Sequence, residues 1–155
     1  GRDAWTPVEL SARVLSRAAG PAELVVLREC GHFPVEDPGV TDLVDAVADL
    51  VLDLGLDGVV ATNTTIDHDL GDGGLSGAPL LPRSLEVVRR LRSRLGEGPT
   101  IIGVGGISSI MDAELMLDAG ADLLQAYTAF IYNGPAWPGR INRALATGSA
   151  ARATA

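Results

Sequence analysis

The chain is poor in cysteine, in histidine and in long apolar runs, and each shortage excludes a class of protein. Its single cysteine, Cys30, excludes an internal disulfide and favours a reducing compartment. Cys30, His32 and His68 lack the spacing of metal ligands, so no metal site is predicted. No apolar run reaches the roughly 18 residues that a membrane span needs. These shortages favour a cytoplasmic globular protein without a metal.

The net charge and the N-terminal sequence further limit the classes of protein to which the chain can belong. A net charge of −8 argues against binding nucleic acid through the whole surface, whereas a hydrophobic content of 46% is enough for a core. The N-terminus has no signal-peptide pattern and does not begin with Met. We therefore expect the 155 residues to have been cut from a longer chain.

Residues 100–109 carry the most informative pattern in the chain. Residues 100–104 predict a short buried strand, which runs directly into Gly105 and Gly106. Without side chains, these glycines let the backbone close on a ligand, and Ser108 or Ser109 caps a helix that starts near Met111. A strand, a glycine turn and a helix N-terminus together predict an anion site, most simply for a phosphate.

The rest of the chain alternates between helices and strands. A first helix precedes a strand at residues 23–27 and a loop rich in proline. From residue 41 onward, helices are predicted at 41–54, 84–95, 111–119 and 139–145, and strands at 57–65, 100–104 and 122–126. The helix at 41–54 has Thr41 or Asp42 as its cap, and the arginines of the helix at 84–95 are expected on a solvated face.

This alternation predicts the fold class. Strands separated by helices form a parallel sheet with right-handed crossovers, and polar residues follow each strand at its carboxyl end, where (β/α)-barrels keep their sites. Three strands cannot close a barrel. We therefore expect an α/β fold that is the C-terminal part of a (β/α)8 TIM barrel, preceded by a short helix–strand segment.

Four motifs in this part of the chain resemble a known family. Residues 61–65, 73–80, 101–109 and 125–129 resemble the C-terminal part of dihydroorotate dehydrogenase, most closely its quinone-linked class, over residues 41–145. The resemblance implies an FMN-dependent flavoprotein that oxidises dihydroorotate to orotate in pyrimidine biosynthesis, with a quinone as acceptor. It implies that the following residues contact the cofactor: Thr62, Gly77, Gly105, Gly106, Tyr127 and Thr128. It implies that Asn63 and Thr64 contact the substrate.

The resemblance also implies what the chain lacks. The family's catalytic serine and flavin-contacting lysine precede the matched part, and this chain has no lysine for that contact. No catalytic residue is therefore assigned within the barrel segment, and the chain alone is not expected to turn over. A complete enzyme would be cytoplasmic or peripheral at the inner membrane, and the open edges of a partial barrel predict self-association.

Residues 1–40 more weakly resemble the C-terminal end of an α/β-hydrolase. There Asp3 and His32 would match the acid and the histidine of a Ser-His-Asp triad, whose nucleophile is absent here. The predicted segments are a hydrolase-like one at 1–40, a partial barrel at 41–147 and a disordered tail at 148–155. Two alternatives to the oxidoreductase stay open, a hydrolase-derived chain and a catalytically inactive fusion fragment.

Overall fold

The computed structural model describes residues 8–17, 19–20, 24 and 39–153. Of the predicted strand at 23–27 only residue 24 is described, and it is not in a strand. Both candidate triad residues, Asp3 and His32, lie outside the described residues. The helices and strands, in chain order, are α1 (Val8–Leu15), α2 (Gly39–Asp53), β1 (Gly58–Ala61), a 3-10 turn (Ala78–Leu80), α3 (Leu81–Leu95), β2 (Thr100–Val104), α4 (Ile110–Asp118), β3 (Leu123–Gln125), α5 (Thr128–Asn133) and α6 (Trp137–Ala153).

Helix boundaries differ from the predicted ones where the ends depend on tertiary contacts. Helix α2 begins at Gly39, so Thr41 and Asp42 lie inside its first turn and neither is its cap. Helix α3 begins at Leu81 with proline in its first turn, a position where the missing N–H costs nothing. Helix α6 extends to Ala153 and so includes part of the tail that was expected to be disordered.

The sheet has the predicted order and direction. Its three strands lie in the order β1-β2-β3, and both pairs are parallel. Val60, Ile102 and Leu123 lie opposite one another in register across the sheet. The parallel order confirms the predicted α/β fold and follows from helical crossovers between consecutive strands.

One face of the sheet packs on helices and forms the core. Ile101 of β2 is fully buried, and so are Val88 of α3 and Met116 of α4. Gly103 faces Met116 so closely that an added Cβ would lie 2.6 Å from the Met116 Cγ. The missing side chain at Gly103 therefore allows α4 to pack against the middle of the sheet.

Helices α2 and α3 are joined across their polar sides by ion pairs. Arg90 donates two hydrogen bonds of 2.7 Å to the Asp45 carboxylate, and Arg94 pairs with Asp49. The hydrogen bond from Arg90 holds the pKa of Asp45 below its ordinary value of 3.8. The arginines of α3 are thus partly engaged with a neighbouring helix, rather than only solvated as the sequence predicted.

Arg92 ties together the amino end of the sheet. Its guanidinium donates to the Gly120 carbonyl at 2.9 Å and to the Asp122 carboxylate at 2.5 Å. Asp122 also accepts the Ile101 N–H at 2.7 Å, and this bond, followed by Arg92, lowers the Asp122 pKa. The network fixes the start of β3 beside β2, at the edge opposite the candidate site.

The second face of the sheet is apolar and open among the described residues. Val60 and Leu123 are each 56% exposed although they flank Ile102 in register. Side chains in register point to the same face, so these residues form one patch. None of the helices in the described part of the chain combines the length and apolar content needed to span a bilayer.

Candidate functional site

A cavity of about 400 Å³ lies at the carboxyl end of the three strands. It brings together all eight cofactor- and substrate-binding residues predicted from the sequence, from positions up to 66 residues apart. Those residues are Thr62, Asn63, Thr64, Gly77, Gly105, Gly106, Tyr127 and Thr128. Parallel strands end at the same edge of a sheet, which explains why polar residues after each strand meet there.

The glycine turn after β2 forms one wall of the cavity. Gly105 and Gly106 have φ angles of 116° and 84°, a region that side-chain-bearing residues rarely adopt. A Cβ on Gly106 would collide with the backbone of Leu81, and one on Gly105 would lie 2.9 Å from the Thr62 Oγ1. The sequence suggested that these glycines make room for a ligand, but the space that a side chain would fill is occupied by α3 and Thr62.

The N-terminus of α4 already has its own acceptor. Ser109 is the N-cap, and the Asp112 carboxylate accepts the N–H groups of Ser108 and Ser109 at 3.0 and 2.9 Å, forming a capping box. Burial raises the pKa of Asp112, but the hydrogen bonds from both serines outweigh it and the pKa is lowered. The predicted cap is confirmed, but a carboxylate occupies the place where the helix N-terminus was expected to attract a ligand anion.

A short helix that the sequence did not predict borders the cavity on the other side. Helix α5 follows β3 directly, and its N-cap residue Tyr127 makes no capping hydrogen bond through its side chain. The Thr128 hydroxyl donates to the Ser76 hydroxyl at 3.1 Å, which links α5 to the long loop after β1. Ser76 also lines the cavity and was missed, because a lone serine in a glycine-rich loop carries no chemical signature.

The residues after β1 are held in place by hydrogen bonds to their neighbours. Thr62 donates its N–H to the Val104 carbonyl at 2.6 Å, so β1 and β2 remain joined at the cavity floor. The Asn63 side-chain oxygen accepts the Thr64 N–H at 2.8 Å. This bond orients the side-chain amide, whose NH₂ group carries two donors that can reach a ligand.

The long loop between β1 and α3 is folded rather than extended. Thr65 and Leu75 form an antiparallel bridge, and the His68 ring lies 3.0 Å from the Gly73 carbonyl. At the end of the loop, Gly77 adopts a φ of 88° and a Cβ there would lie 3.2 Å from the Thr128 side chain. The loop therefore approaches α5 closely enough to form a side of the cavity.

The wall of the cavity carries no acidic or basic side chain among its lining residues. The polar groups that face it are hydroxyls, amides and backbone groups. An anion could therefore be held only by neutral donors such as the amides after β2 and those in the first turn of α5, which no side chain caps.

Parallel strands with helical crossovers and a cavity at their carboxyl edge place this chain in the (β/α)-barrel class, as a segment of such a barrel. The chain belongs to the dihydroorotate dehydrogenase family, because the model of that family, described as dihydroorotate dehydrogenase, matches residues 37–148. This match confirms the resemblance that the four motifs carry.

Curated relatives and solved structures agree with this assignment. A dihydroorotate dehydrogenase (quinone) of Arthrobacter sp. is 53% identical over 74% of this chain and 36% of its own length. One of Kocuria rhizophila is 46% identical over 92% of this chain and 42% of its own length. A dihydroorotate dehydrogenase of Eimeria tenella, solved in complex with ferulenol, matches 68% of this chain and 30% of its own with 34% identity and a TM-score of 0.64.

These relatives also show how much of the family's protein is present. The chain spans about two-fifths of the length of the two curated relatives, and less than a third of the solved structure. The fold of the described part is therefore confirmed as a partial barrel of this family. The hydrolase-like interpretation of residues 1–40 stays a prediction.

Proposed function

We propose that this chain is the flavin-phosphate- and substrate-binding portion of a quinone-linked dihydroorotate dehydrogenase. The observation that carries the proposal is the single cavity that collects all eight predicted contact residues at the carboxyl edge of the sheet. Its volume of about 400 Å³ lies within the range of roughly 300–1,000 Å³ typical of small-molecule sites.

The cavity walls fit the phosphate of FMN. The turn at Gly105 and Gly106 and the turn at Tyr127 and Thr128 face the same space from neighbouring strands. Because the lining has no charged side chain, backbone N–H groups of the Gly105–Gly106 turn and of the Tyr127–Thr128 turn are the proposed donors for the phosphate. No cationic side chain is required for such a site, although its affinity is modest without one.

Asn63 and Thr64 fit the substrate end of the cavity. The NH₂ group of Asn63 can donate to a carbonyl or carboxylate oxygen of dihydroorotate, and the bond from the Thr64 N–H to the Asn63 oxygen orients the amide. Both residues are exposed at the rim, next to the buried end of β1. In this position they bind and orient a planar ring.

When bound, FMN would supply the hydride acceptor for the oxidation of dihydroorotate to orotate, with a quinone as the final acceptor. The lining residues of this chain include no carboxylate or imidazole that could take a proton. They therefore bind and orient, and we propose that the chain alone does not catalyse. The quinone acceptor is proposed from the name of the relatives, dihydroorotate dehydrogenase (quinone). We propose that the complete enzyme is cytoplasmic or peripheral at the inner membrane.

Titration of FMN followed by flavin fluorescence tests the cofactor site. We expect a Kd in the micromolar range or weaker, since a flavin ring against an open sheet face buries little of its apolar surface at roughly 25 cal/mol per Å². Riboflavin, which lacks the phosphate, should bind at least about tenfold more weakly, because the loss of charge-assisted hydrogen bonds of about 1.5–3 kcal/mol removes that factor. Equal affinity for the two flavins would show that the turns do not hold a phosphate.

Replacement of Asn63 by alanine tests the substrate end. Orotate binding, measured by isothermal titration in the presence of saturating FMN, should weaken several-fold in Asn63→Ala because one ligand hydrogen bond is lost. Asn142→Ala, which changes an exposed asparagine on α6 remote from the cavity lining, is the matched control and should leave the affinity unchanged. An Asn63→Ala variant that binds orotate as the control does would remove Asn63 from the site.

A further inference from the structure

Ser84 is the buried polar side chain of the described core. It lies in the first turn of α3, has 0% exposure and is surrounded by apolar residues of the helix and sheet. A hydroxyl in such a place is retained only when it has a hydrogen-bond partner, because burial without one is costly. Its partner therefore indicates what the residue does.

That partner is Thr62, a residue of the cavity wall. The two hydroxyl oxygens lie 2.8 Å apart, and the Thr62 hydroxyl donates its proton to the Val104 carbonyl at 3.2 Å. A hydroxyl has one proton, and either oxygen could donate in the 2.8 Å bond, but only donation from Ser84 to Thr62 gives both hydroxyl protons a partner among the described residues. The hydrogen bonds then run in one direction, from Ser84 to Thr62 to Val104.

This direction decides what Thr62 can offer to a ligand. Its only proton is committed to Val104, and one of its acceptor positions is filled by Ser84. The remaining acceptor position can bind only a ligand group that donates, such as a ring N–H or a hydroxyl. Without Ser84, the Thr62 hydroxyl would keep only the longer bond to Val104, so its side chain would be held less firmly and could turn its proton toward a ligand.

The same hydroxyl lies beneath the glycine turn. A Cβ at Gly105 would collide with the Ser84 Oγ, so the turn rests directly on Ser84 and Thr62. Packing this tight transmits the position of the buried serine to the backbone that lines the cavity.

We propose that Ser84 is a positioning residue for the cavity, which holds the Thr62 hydroxyl as a hydrogen-bond acceptor toward the ligand and supports the Gly105 turn. The ligand named below rests on the proposed function, whereas the orientation of Thr62 is a property of the free protein. The two can therefore be tested separately.

The first measurement uses the free protein. Three-bond couplings of the Thr62 methyl carbon report its χ1 rotamer by NMR. We expect a single rotamer in the unmodified protein and in Ser93→Ala, a matched change at an exposed serine of α3, and averaged couplings in Ser84→Ala. A merely structural serine would lower stability but leave Thr62 in one rotamer, and that result would overturn the proposal whether or not FMN binds.

The second measurement uses FMN affinity, corrected for the folded fraction. Ser84→Ala and Thr62→Val should each weaken binding about five- to tenfold, which corresponds to the loss of one hydrogen bond. The double variant should be no weaker than Thr62→Val alone, because both changes act through one contact. Additive losses, or a Ser84→Ala affinity within twofold of Ser93→Ala, would overturn the proposal.

The proposal can still be tested if the protein does not bind FMN or if Ser84→Ala does not fold. If the unmodified protein binds no FMN, the proposed function fails and the rotamer measurement alone decides the role of Ser84. If Ser84→Ala does not fold, Ser84→Cys keeps a side chain of the same shape, slightly larger, with a weaker donor. It should show partly averaged Thr62 couplings, and a single rotamer there would refute the positioning role.

Discussion

Replacement of Gly106 by alanine tests whether the turn at the cavity is shaped by its packing on α3. The residue is buried, has a φ of 84°, and a Cβ added to it would lie 2.5 Å from the Leu81 Cα. A positive φ costs alanine about 1–2 kcal/mol, and forcing an extra methyl into a packed site costs about 1–3 kcal/mol. We therefore expect Gly106→Ala to lower the free energy of unfolding by about 2–5 kcal/mol.

Two other glycines separate the two contributions. Gly134 has a φ of 74° but no atom within 4 Å of an added Cβ, so Gly134→Ala should cost only the backbone term of about 1–2 kcal/mol. Gly98 has neither a positive φ nor a near neighbour, and Gly98→Ala should be neutral within about 0.5 kcal/mol. The three variants should therefore rank in the order Gly98, Gly134, Gly106.

Urea unfolding followed by far-UV circular dichroism and by tryptophan fluorescence measures these differences. Trp137 is buried and reports on the packing of α6. If Gly106→Ala unfolds with the same free energy as Gly134→Ala, the contact with Leu81 does not constrain the turn. If it matches Gly98→Ala, the positive φ itself is refuted.

Three further outcomes are expected. Asp112→Asn should lower the free energy of unfolding by about 1 kcal/mol near neutral pH, the usual contribution of a helix cap. Because folding lowers the pKa of Asp112, its charged carboxylate stabilises the folded state above about pH 4, and this contribution is lost as the pH falls below 3.8. The cost of the substitution should therefore shrink at low pH, and a pH-independent difference in urea titrations would contradict this. Gly103→Ala should lower the unfolding free energy by about 1–3 kcal/mol by pushing against Met116, and an unchanged urea midpoint would contradict this close packing. The open sheet face with Val60 and Leu123, and the unpaired edges of β1 and β3 within the described residues, should make the protein self-associate, so a monomer by light scattering at micromolar concentration would contradict the prediction.

Apart from the 3-10 turn and α5, the sequence by itself determined the order and type of the elements from residue 39 onward. Buried parallel strands need apolar side chains on both faces, and the helices between them need an apolar stripe, so both patterns are written locally. The position of the site followed, because crossovers bring the carboxyl ends of parallel strands to one edge. Thr62, Gly106 and Thr128 could therefore be placed together without coordinates, as the cavity lining shows.

Short elements and helix ends were decided by tertiary structure. Helix α5 has six residues, fewer than two turns, which is too short to show a helical period. The start of α3 depends on the 3-10 turn that precedes it, and the capping role of Asp112 depends on which of two serines ends the loop. Local patterns do not distinguish such alternatives because their energies differ by only about 1 kcal/mol.

Only the tertiary structure showed why the residues around the cavity have their identities. Gly106 is required by the backbone of Leu81, and Ser84 is paired with Thr62 across 22 positions of sequence. Contacts of this kind join residues whose side chains carry no shared pattern along the chain. Local periodicity therefore specifies which elements form and where their ends meet, whereas close packing between those elements specifies the orientation of each group that faces the ligand.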